Sequence, residues 1–377
     1  MSVTFRFARV GEYQRISDFL DQYWAKAHIY CRNAKLFDWT FRRSGHWDPE
    51  QYSVSLGEDG DQLIGILGGI PFSFNHYGKI CPSVWIVNYV IRPDYRKGAS
   101  ALQLLSTFRR PEFDPVIAYG INPATTAIYK VLRGRVLPPI PRSIVLLPEA
   151  KDRFAEILHV AYPLWTRDQI EESSAAFIPE TLPDEDAPVG REIPAEWNTN
   201  EWPEIAKTTV GAARDLDFLT WRYKNHPVFE YRFLSIREGE RSGLLVWRLE
   251  TIRKQIDAGR EDMDRIGRLV EFLPVSQSNA KQLVSAFVKE LRATDAVGAD
   301  FYGFHGETRQ WLSECGFIST ATRTDGNAIP SRFQPLDGKG GEILSAMFLR
   351  DPLPECNTAL DCPWYWTKAD SDQDRPN

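Results

Sequence analysis

The chain has 377 residues, 43% hydrophobic and 25% charged, with 45 Lys and Arg against 51 Asp and Glu for a formal charge of −6. That length exceeds one ordinary core and suits two domains, and the composition is that of a soluble globular protein. The acidic balance, with no basic run, argues against nucleic-acid or anionic-membrane binding, and no run of about 18 apolar residues offers a membrane span.

Residues 2–9 alternate apolar and polar side chains as a strand does. Residues 11–26 read as an amphipathic helix and 34–43 as a second. A hairpin follows at 51–74 around Asp59-Gly60. The mostly apolar run 83–93 suits a central strand; helix 98–109, strand 116–120, helix 123–132 and a last strand pair come next. Residues 150–210 are rich in Pro, Glu and Asp and read as a connection into the first strand and helix of a second unit. That unit is expected to hold a helix at 214–224, strands at 229–237, 242–250 and 265–273, a helix at 277–292, a strand at 298–304 and a helix at 306–315. Each half is thus a mixed α/β domain.

The halves repeat one signal. PDYRKGASALQLL (93–105) and YGINPATTAIYKVLRG (119–134) match PVSQSNAKQLVSAF (274–287) and YGFHGETRQWLSECGF (302–317), and LFDWTF (36–41) matches FLTWRY (218–223). The offset is roughly 182 residues throughout, which means two copies of a domain rather than a solenoid. The N-terminus, MSVTFRFARVGEYQ, has no apolar stretch behind a basic one, so no signal peptide is read. Cys31, Cys81, Cys315, Cys356 and Cys362 are scattered with no CxxC pair or Cys/His cluster. Reduced thiols, no metal and a cytoplasmic location are expected.

The copies differ in their chemistry. In the first, Arg96, Lys97, Gly98, Ala99, Ser100 and Ala101 form a turn of small residues flanked by cations at the start of a helix. Small side chains let a ligand approach the main chain. The first free N–H groups of a helix favour an anion, and a pyrophosphate is a natural occupant. The second copy has VSQSNAK there, with no Gly and no Arg.

The segments IRPDYRKGASA (91–101) and NPATTAIY (122–129) resemble the two signature segments of the GNAT superfamily, the acyl-CoA-dependent N-acyltransferases: V-x-P-x-Y-R-x-x-G-x-G/A and N-x-x-A-x-x-x-Y. Ala99 stands where the first glycine is usual, and Thr125 or Thr126 where a small residue is. The resemblance covers about residues 3–147 and reaches the second half only as a fold, through the repeat. It implies two tandem GNAT-like domains, each a central mixed sheet flanked by helices. Residues 1–149 would be the catalytic, acyl-CoA-binding domain and 150–192 a linker. Residues 193–352 would be a degenerate domain on the acceptor side, and 353–377 an aromatic and acidic tail.

The resemblance also implies roles. Main-chain amides of Arg96, Lys97, Gly98, Ala99, Ser100 and Ala101 would hold the pyrophosphate of acetyl-CoA or another short-chain acyl-CoA. Tyr89, Val90 and Ile91 would bond the pantetheine arm and polarise the thioester. Asn122 would brace strand and cofactor, and Tyr129 would protonate the leaving thiolate. The repeat supports Tyr129, since Leu312 takes its place in the second copy and the fold needs no phenol there.

N-acylation needs an uncharged amine, and no strong base is obvious. Asn88 has an amide, which cannot act as one. His76, His226 and His305 are candidates, although each also fits a surface or satisfied core position; His305 replaces Asn122 in the repeat. FLTWRYKNHP (218–227) gathers Arg222, Tyr223 and His226, and the guanidinium could pair with a phosphate of the acceptor. In the tail, Trp366 and Asp372 represent a mixture of rings and acids suited to a sugar. Tandem copies with one worn cofactor loop resemble the nucleotide-sugar N-acyltransferases. The function implied is acyl transfer to the amine of a nucleotide-linked amino-deoxy sugar, with small-molecule partners only, in a monomer with an internal pseudo-dimer. Two other readings stay open. A peptidoglycan-bridge-type aminoacyl transferase would need a basic RNA-binding face, and a non-catalytic acyl-CoA binder would show no turnover.

Overall fold

The computed structural model describes residues 3–96, 99–257, 260–320, 329–338, 342–349 and 362–376. The chain opens with β1 (Thr4–Arg9), α1 (Tyr13–Tyr23), α2 (Ile29–Arg32) and α3 (Ala34–Phe41), then β2 (Gln51–Asp59), β3 (Gln62–His76) and β4 (Lys79–Ile91). The first half ends with α4 (Ser100–Ser106), β5 (Val116–Ile121), α5 (Thr126–Val131), β6 (Arg135–Leu137) and β7 (Arg142–Leu146). After it come α6 (Lys151–Ala161), α7 (Arg167–Ala175), α8 (Trp202–Thr208), β8 (Val210–Ala212) and α9 (Leu216–Leu219). The second sheet's long strands are β9 (Arg232–Glu238), β10 (Arg241–Asp257) and β11 (Arg260–Leu273), followed by α10 (Gln277–Ala293), β12 (Gly298–Tyr302) and α11 (Gly306–Glu314). Short strands close the chain: β13 (Ile318–Ser319), β14 (Arg332–Phe333), β15 (Leu336–Asp337), β16 (Leu344–Phe348) and β17 (Trp364–Tyr365). No helix among the described residues is long and apolar enough to cross a membrane.

Two mixed sheets result. The first runs β1-β2-β3-β4-β5-β16-β6, with β8 on β3 and β17 on β8; the second runs β13-β7-β12-β11-β10-β9. The halves exchange strands. β16, from late in the chain, lies between β5 and β6, while β7, from the first half, lies between β12 and β13. Pulling the exchanged strands out would expose edges on six strands, β5, β6, β7, β12, β13 and β16, which resists separation.

Sheet membership therefore departs from the expected boundaries at 149 and 193, because β7 belongs to the second sheet and β8 and β16 to the first. The segment 150–192 is not simply a linker. It carries α6 and α7, and Phe154, Ile157, Leu158 and Ile170 bury against the second sheet. The i, i+3, i+4 spacing of Phe154, Ile157 and Leu158 is the helical stripe, masked in sequence by the Pro- and acid-rich stretch that follows. Cys31, Cys81 and Cys315 are free thiols, whereas Cys362 is disulfide-bonded, against the expectation of thiols throughout.

The repeat persists in three dimensions. Trp39 and Trp221, 182 residues apart, stack with ring centroids 4.9 Å apart. Each indole N–H donates to the other's carbonyl oxygen, at 3.2 and 3.4 Å. A reciprocal contact of this kind is the signature of a two-fold dimer, here within one chain.

Candidate active site

β4 and β5 run parallel but pair only where residues 84–86 meet 116–118. Past that point β4 is irregular: Ile66 faces Val90 and Gly68 faces Val87, so Asn88 and Tyr89 together oppose Leu67. This β-bulge bends the strand and opens a fork between 87–91 and 119–121. Asn88 takes φ 53°, a left-handed conformation that Asn tolerates better than most residues. It is nine-tenths buried, yet neither polar atom of its amide has a partner among the described residues. Leaving buried polar groups unpaired costs about 1–3 kcal/mol each, so a hydrogen-bonding ligand at this point would be stabilising.

Other expected donor-side residues gather around the fork. The Tyr89 hydroxyl donates to the Ala101 carbonyl, fastening α4 to β4. Arg96 Nε donates to Ile91 O at 3.1 Å, folding the turn back on the strand. Ala99 precedes α4 with no side-chain cap. Lys97 and Gly98 lie outside the described residues. Asn122 Oδ1 accepts from Ala124 N at 2.9 Å and caps the turn into α5. Tyr129, on α5, packs in one cluster with Ile91 and Leu104, its ring 6.0 Å from Phe348. Burial pushes its phenol up to about 12.

The second module repeats the fork and fills it. β11 and β12 pair in parallel where 267–269 meet 299–301, and a bulge places Val270 between Leu269 and Glu271. The tail enters here. The Tyr365 hydroxyl accepts from Phe272 N at 3.0 Å, Phe304 N donates to Trp366 O at 3.1 Å, and Gly303 bridges to Thr367. The same tail reaches the first module, where the Tyr119 hydroxyl donates to Thr367 O at 2.6 Å. Gly120, at φ 73°, lies so close to Gln373 that a Cβ would come within 2.3 Å of it.

Between the modules lies a cavity of about 750 Å³, whose walls include Gly120 and Asn122, Arg248 and Tyr302, and Lys368 and Gln373. A ladder of buried charges supports it. Arg142 bonds Asp300 at 2.6 Å, Asp300 bonds Arg268 at 2.6 Å, Arg268 bonds Glu250 at 2.8 Å, and Arg248 bridges Glu250 at 2.8 Å and Asp374 at 2.7 Å. The ammonium of Lys368 lies 4.8 Å over the Tyr302 ring. Burial, then Arg268, pulls it down to about 7 against Asp300, Glu250 and Asp374. Among the described residues no group of three or more His, Cys, Asp or Glu could hold a metal.

The residues expected to bind the acceptor sit elsewhere, and none is among the cavity's lining. Arg222 is 2% exposed and donates to Ala369 O at 2.6 Å and Asp374 O at 3.1 Å. Tyr223 is buried with its hydroxyl on Glu271. Trp366 is core, and Asp372 pairs with Arg375 at 2.8 Å. His226 Nδ1 accepts from Phe229 N at 2.9 Å. His305 does for α11 what Asn122 does for α5: its Nδ1 caps the helix, accepting from Thr308 N at 3.3 Å. Arg222, Tyr223, Asp372 and His305 hold the tail or cap turns, because their polar atoms found partners within the chain, while His226 caps a turn through Nδ1 and leaves its buried Nε2 without a partner. Sequence reasoning passed over Lys368, Arg248, Glu250 and Arg268. For Arg248 and Glu250 the available signal was charge at alternate positions within an otherwise apolar stretch of β10.

The two histidines make a pH prediction. Burial lowers His226 to about 3 and His305 to about 4, from 6.5. The unfolded chain then binds more protons than the folded one from pH 6.5 down to those values, so stability is lost as pH falls through that window. The loss is about 1.4 kcal/mol per pH unit per ring. Urea unfolding at pH 7 and pH 5 should show it, and His305→Asn should reduce the difference.

No protein-family model matches the chain, and no curated protein matches it in sequence. Solved structures do match. Saccharomyces cerevisiae N-myristoyltransferase with bound myristoyl-CoA aligns over 94% of this chain and 80% of its own, with TM-score 0.55 and 10% identity. A GCN5-related N-acetyltransferase from Anabaena variabilis aligns over 80% of this chain with TM-score 0.50 and 12% identity, and this chain spans 66% of its length. At such identities the likeness is one of fold. The two forked mixed sheets of this chain are two tandem GNAT-like domains.

Proposed function

We propose that the chain is an acyl-CoA-dependent N-acyltransferase whose first module holds the donor. The finer reading is that the cavity between the modules receives the amine of a nucleotide-linked amino-deoxy sugar. One observation carries the proposal: both modules have a bulged fork, the second is filled by the chain's own tail, and the first retains a buried, unpaired Asn88 amide. A thioester carbonyl at the bulge would meet that amide, and hydrogen bonds there strengthen as charge develops on the oxygen. Tyr89, Val90 and Ile91 would line the pantetheine arm, and the turn from Arg96 to Ala101 would face the pyrophosphate. Leu102, Ile128 and Val131 are exposed on α4 and α5 and offer apolar surface to the donor. A solved structure of similar fold contains myristoyl-CoA, which supports a CoA thioester as the donor class.

The sugar reading draws on the cavity. Its volume of about 750 Å³ lies within the range of small-molecule sites. Tyr302 and Phe229 supply rings, and Arg332 and Arg375 supply guanidinium groups suited to a diphosphate.

Native mass spectrometry with acetyl-CoA is expected to show one molecule bound per chain. Asn88→Gly keeps the left-handed backbone, removes the amide, and should weaken binding about tenfold. Incubation with UDP- and dTDP-linked amino-deoxy sugars should yield acetylated product. Absence of CoA binding, or two molecules per chain, would overturn the donor assignment; binding without turnover would make the chain an acyl-CoA binder.

A further inference from the structure

Lys368 is fixed from both sides of the seam. Its backbone N–H donates to Tyr302 O at 3.3 Å, the preceding Thr367 receives the Tyr119 hydroxyl, and the following Ala369 carbonyl receives Arg222. This double pinning holds its side chain on the cavity wall, over the Tyr302 ring. The charged groups around it come from every neighbouring element: Asp300 and Tyr302 on β12, Glu250 and Arg248 on β10, Arg268 on β11, Arg142 on β7, and Asp374 in the tail. Each of the three carboxylates is already bonded to an arginine within 2.8 Å. Three arginines balance these three carboxylates, Arg332, Arg375 and Glu342 add two cations and one acid to the same cavity wall, and the Lys368 ammonium makes no hydrogen bond or ion pair with a described residue. A further cation has no counterion here, whereas a neutral amine does not need one.

We infer that Lys368 is the proton acceptor for the incoming amine, an assignment that rests on the acyltransfer reading above. The cavity wall it occupies also includes Gly120 and Asn122, at the mouth of the first fork. An acceptor seated there presents its ammonium between Lys368 and the donor. Lys368 Nζ takes one proton from R–NH3+, leaving R–NH2 and a lysine ammonium. The free amine attacks the thioester carbon, a C–N bond forms, and the C–S bond breaks. The thiolate leaves with the proton of the Tyr129 phenol, and the phenolate recovers one from the amide nitrogen. Lys368 then returns its proton to water in the cavity. The lowering of Lys368 to about 7 agrees with this role, since half of it is neutral near pH 7.

The test has two arms, both on the full chain. Reductive methylation with isotope-labelled formaldehyde gives each lysine a reporter signal, and that of Lys368 is assigned by its disappearance in Lys368→Arg. Titration near pH 7 is expected; titration with ordinary lysines near about 10.4 would overturn the inference. In the second arm, turnover of acetyl-CoA with the best acceptor of the nucleotide-sugar panel should rise with pH to a plateau above about 7. Lys368→Met should fall about 100-fold at pH 7 and then climb a decade per pH unit until the acceptor amine is itself neutral. Lys368→Arg should be equally poor, because a guanidinium keeps the charge and takes no proton. Recovery in the arginine variant would make the residue an anion-binding cation and end the base assignment. A wild-type chain with no CoA-dependent transfer would instead sink the acyltransfer reading, whatever the pH at which Lys368 titrates.

Discussion

Asp374→Ala is expected to destabilise the chain by about 3–5 kcal/mol, the usual cost of stripping one partner from a buried ion pair. Asp374 is 2% exposed. Its carboxylate takes Arg248 and the Tyr231 hydroxyl, each at 2.7 Å, while its carbonyl takes Arg222 at 3.1 Å. Burial alone would raise this carboxyl, but the charge and hydrogen bonds of Arg248, with help from Arg222 and Tyr231, hold it far below the usual range. Alanine leaves the buried Arg248 guanidinium without its carboxylate and the Tyr231 hydroxyl without its acceptor, and takes a nearby negative charge from Arg222, whose bond to the 374 carbonyl remains. The tail then loses its anchor, and the second fork loses its filling. Urea unfolding should report the lost stability, and tryptophan fluorescence should shift to the red as Trp364 and Trp366 meet water. Asp186→Ala is the control. That side chain is 98% exposed and pairs with Lys289, so its loss should leave stability nearly unchanged. If the two variants unfold alike, the ladder does not hold the tail.

Much of the frame was legible in sequence, because helix and strand periods are local. The hairpin of β2 and β3, the central β4, α10 and the internal repeat all follow from side-chain spacing. Strand exchange was not legible. RSIVL (142–146) belongs to the strand pair expected at the end of the first half and LSAMF (344–348) is not among the expected strands, and nothing local says which sheet receives either, since pairing partners are set by distant residues. The tail misled for a related reason. Rings and acids suit a sugar, yet they suit equally an arginine-lined seam in the same chain, and Trp364, Trp366 and Asp374 found the seam. The better signal was a lysine, Lys368, two residues past the Trp364, Tyr365 and Trp366 cluster, because an ammonium is seldom placed beside so apolar a segment without a task. Asn88 gave a similar hint as a polar residue inside the apolar run of β4.

Tyr129→Phe is expected to lower kcat at least about tenfold while leaving acetyl-CoA affinity nearly unchanged, the pattern of an interaction made only in the transition state. Phenylalanine keeps the ring against Phe348 and the apolar cluster beneath α5. The second module shows that this helix position tolerates an apolar side chain, since Leu312 is fully buried there. Stability should therefore hold while rate falls. With its phenol pushed up to about 12 by burial, Tyr129 stays protonated across the neutral range, as a proton donor must, and adds no limb to the pH profile below about 10. A role in protonating the thiolate carries a sharper consequence. A donor whose thiol is more acidic than that of CoA leaves without help, so the gap between Tyr129→Phe and wild type should shrink with an aryl thioester of acetate. Lys368→Met should show no such relief, because its defect lies in the amine and not in the leaving group. If both variants respond to the leaving group alike, or if Tyr129→Phe turns over as fast as wild type, the phenol has no part in breaking the C–S bond.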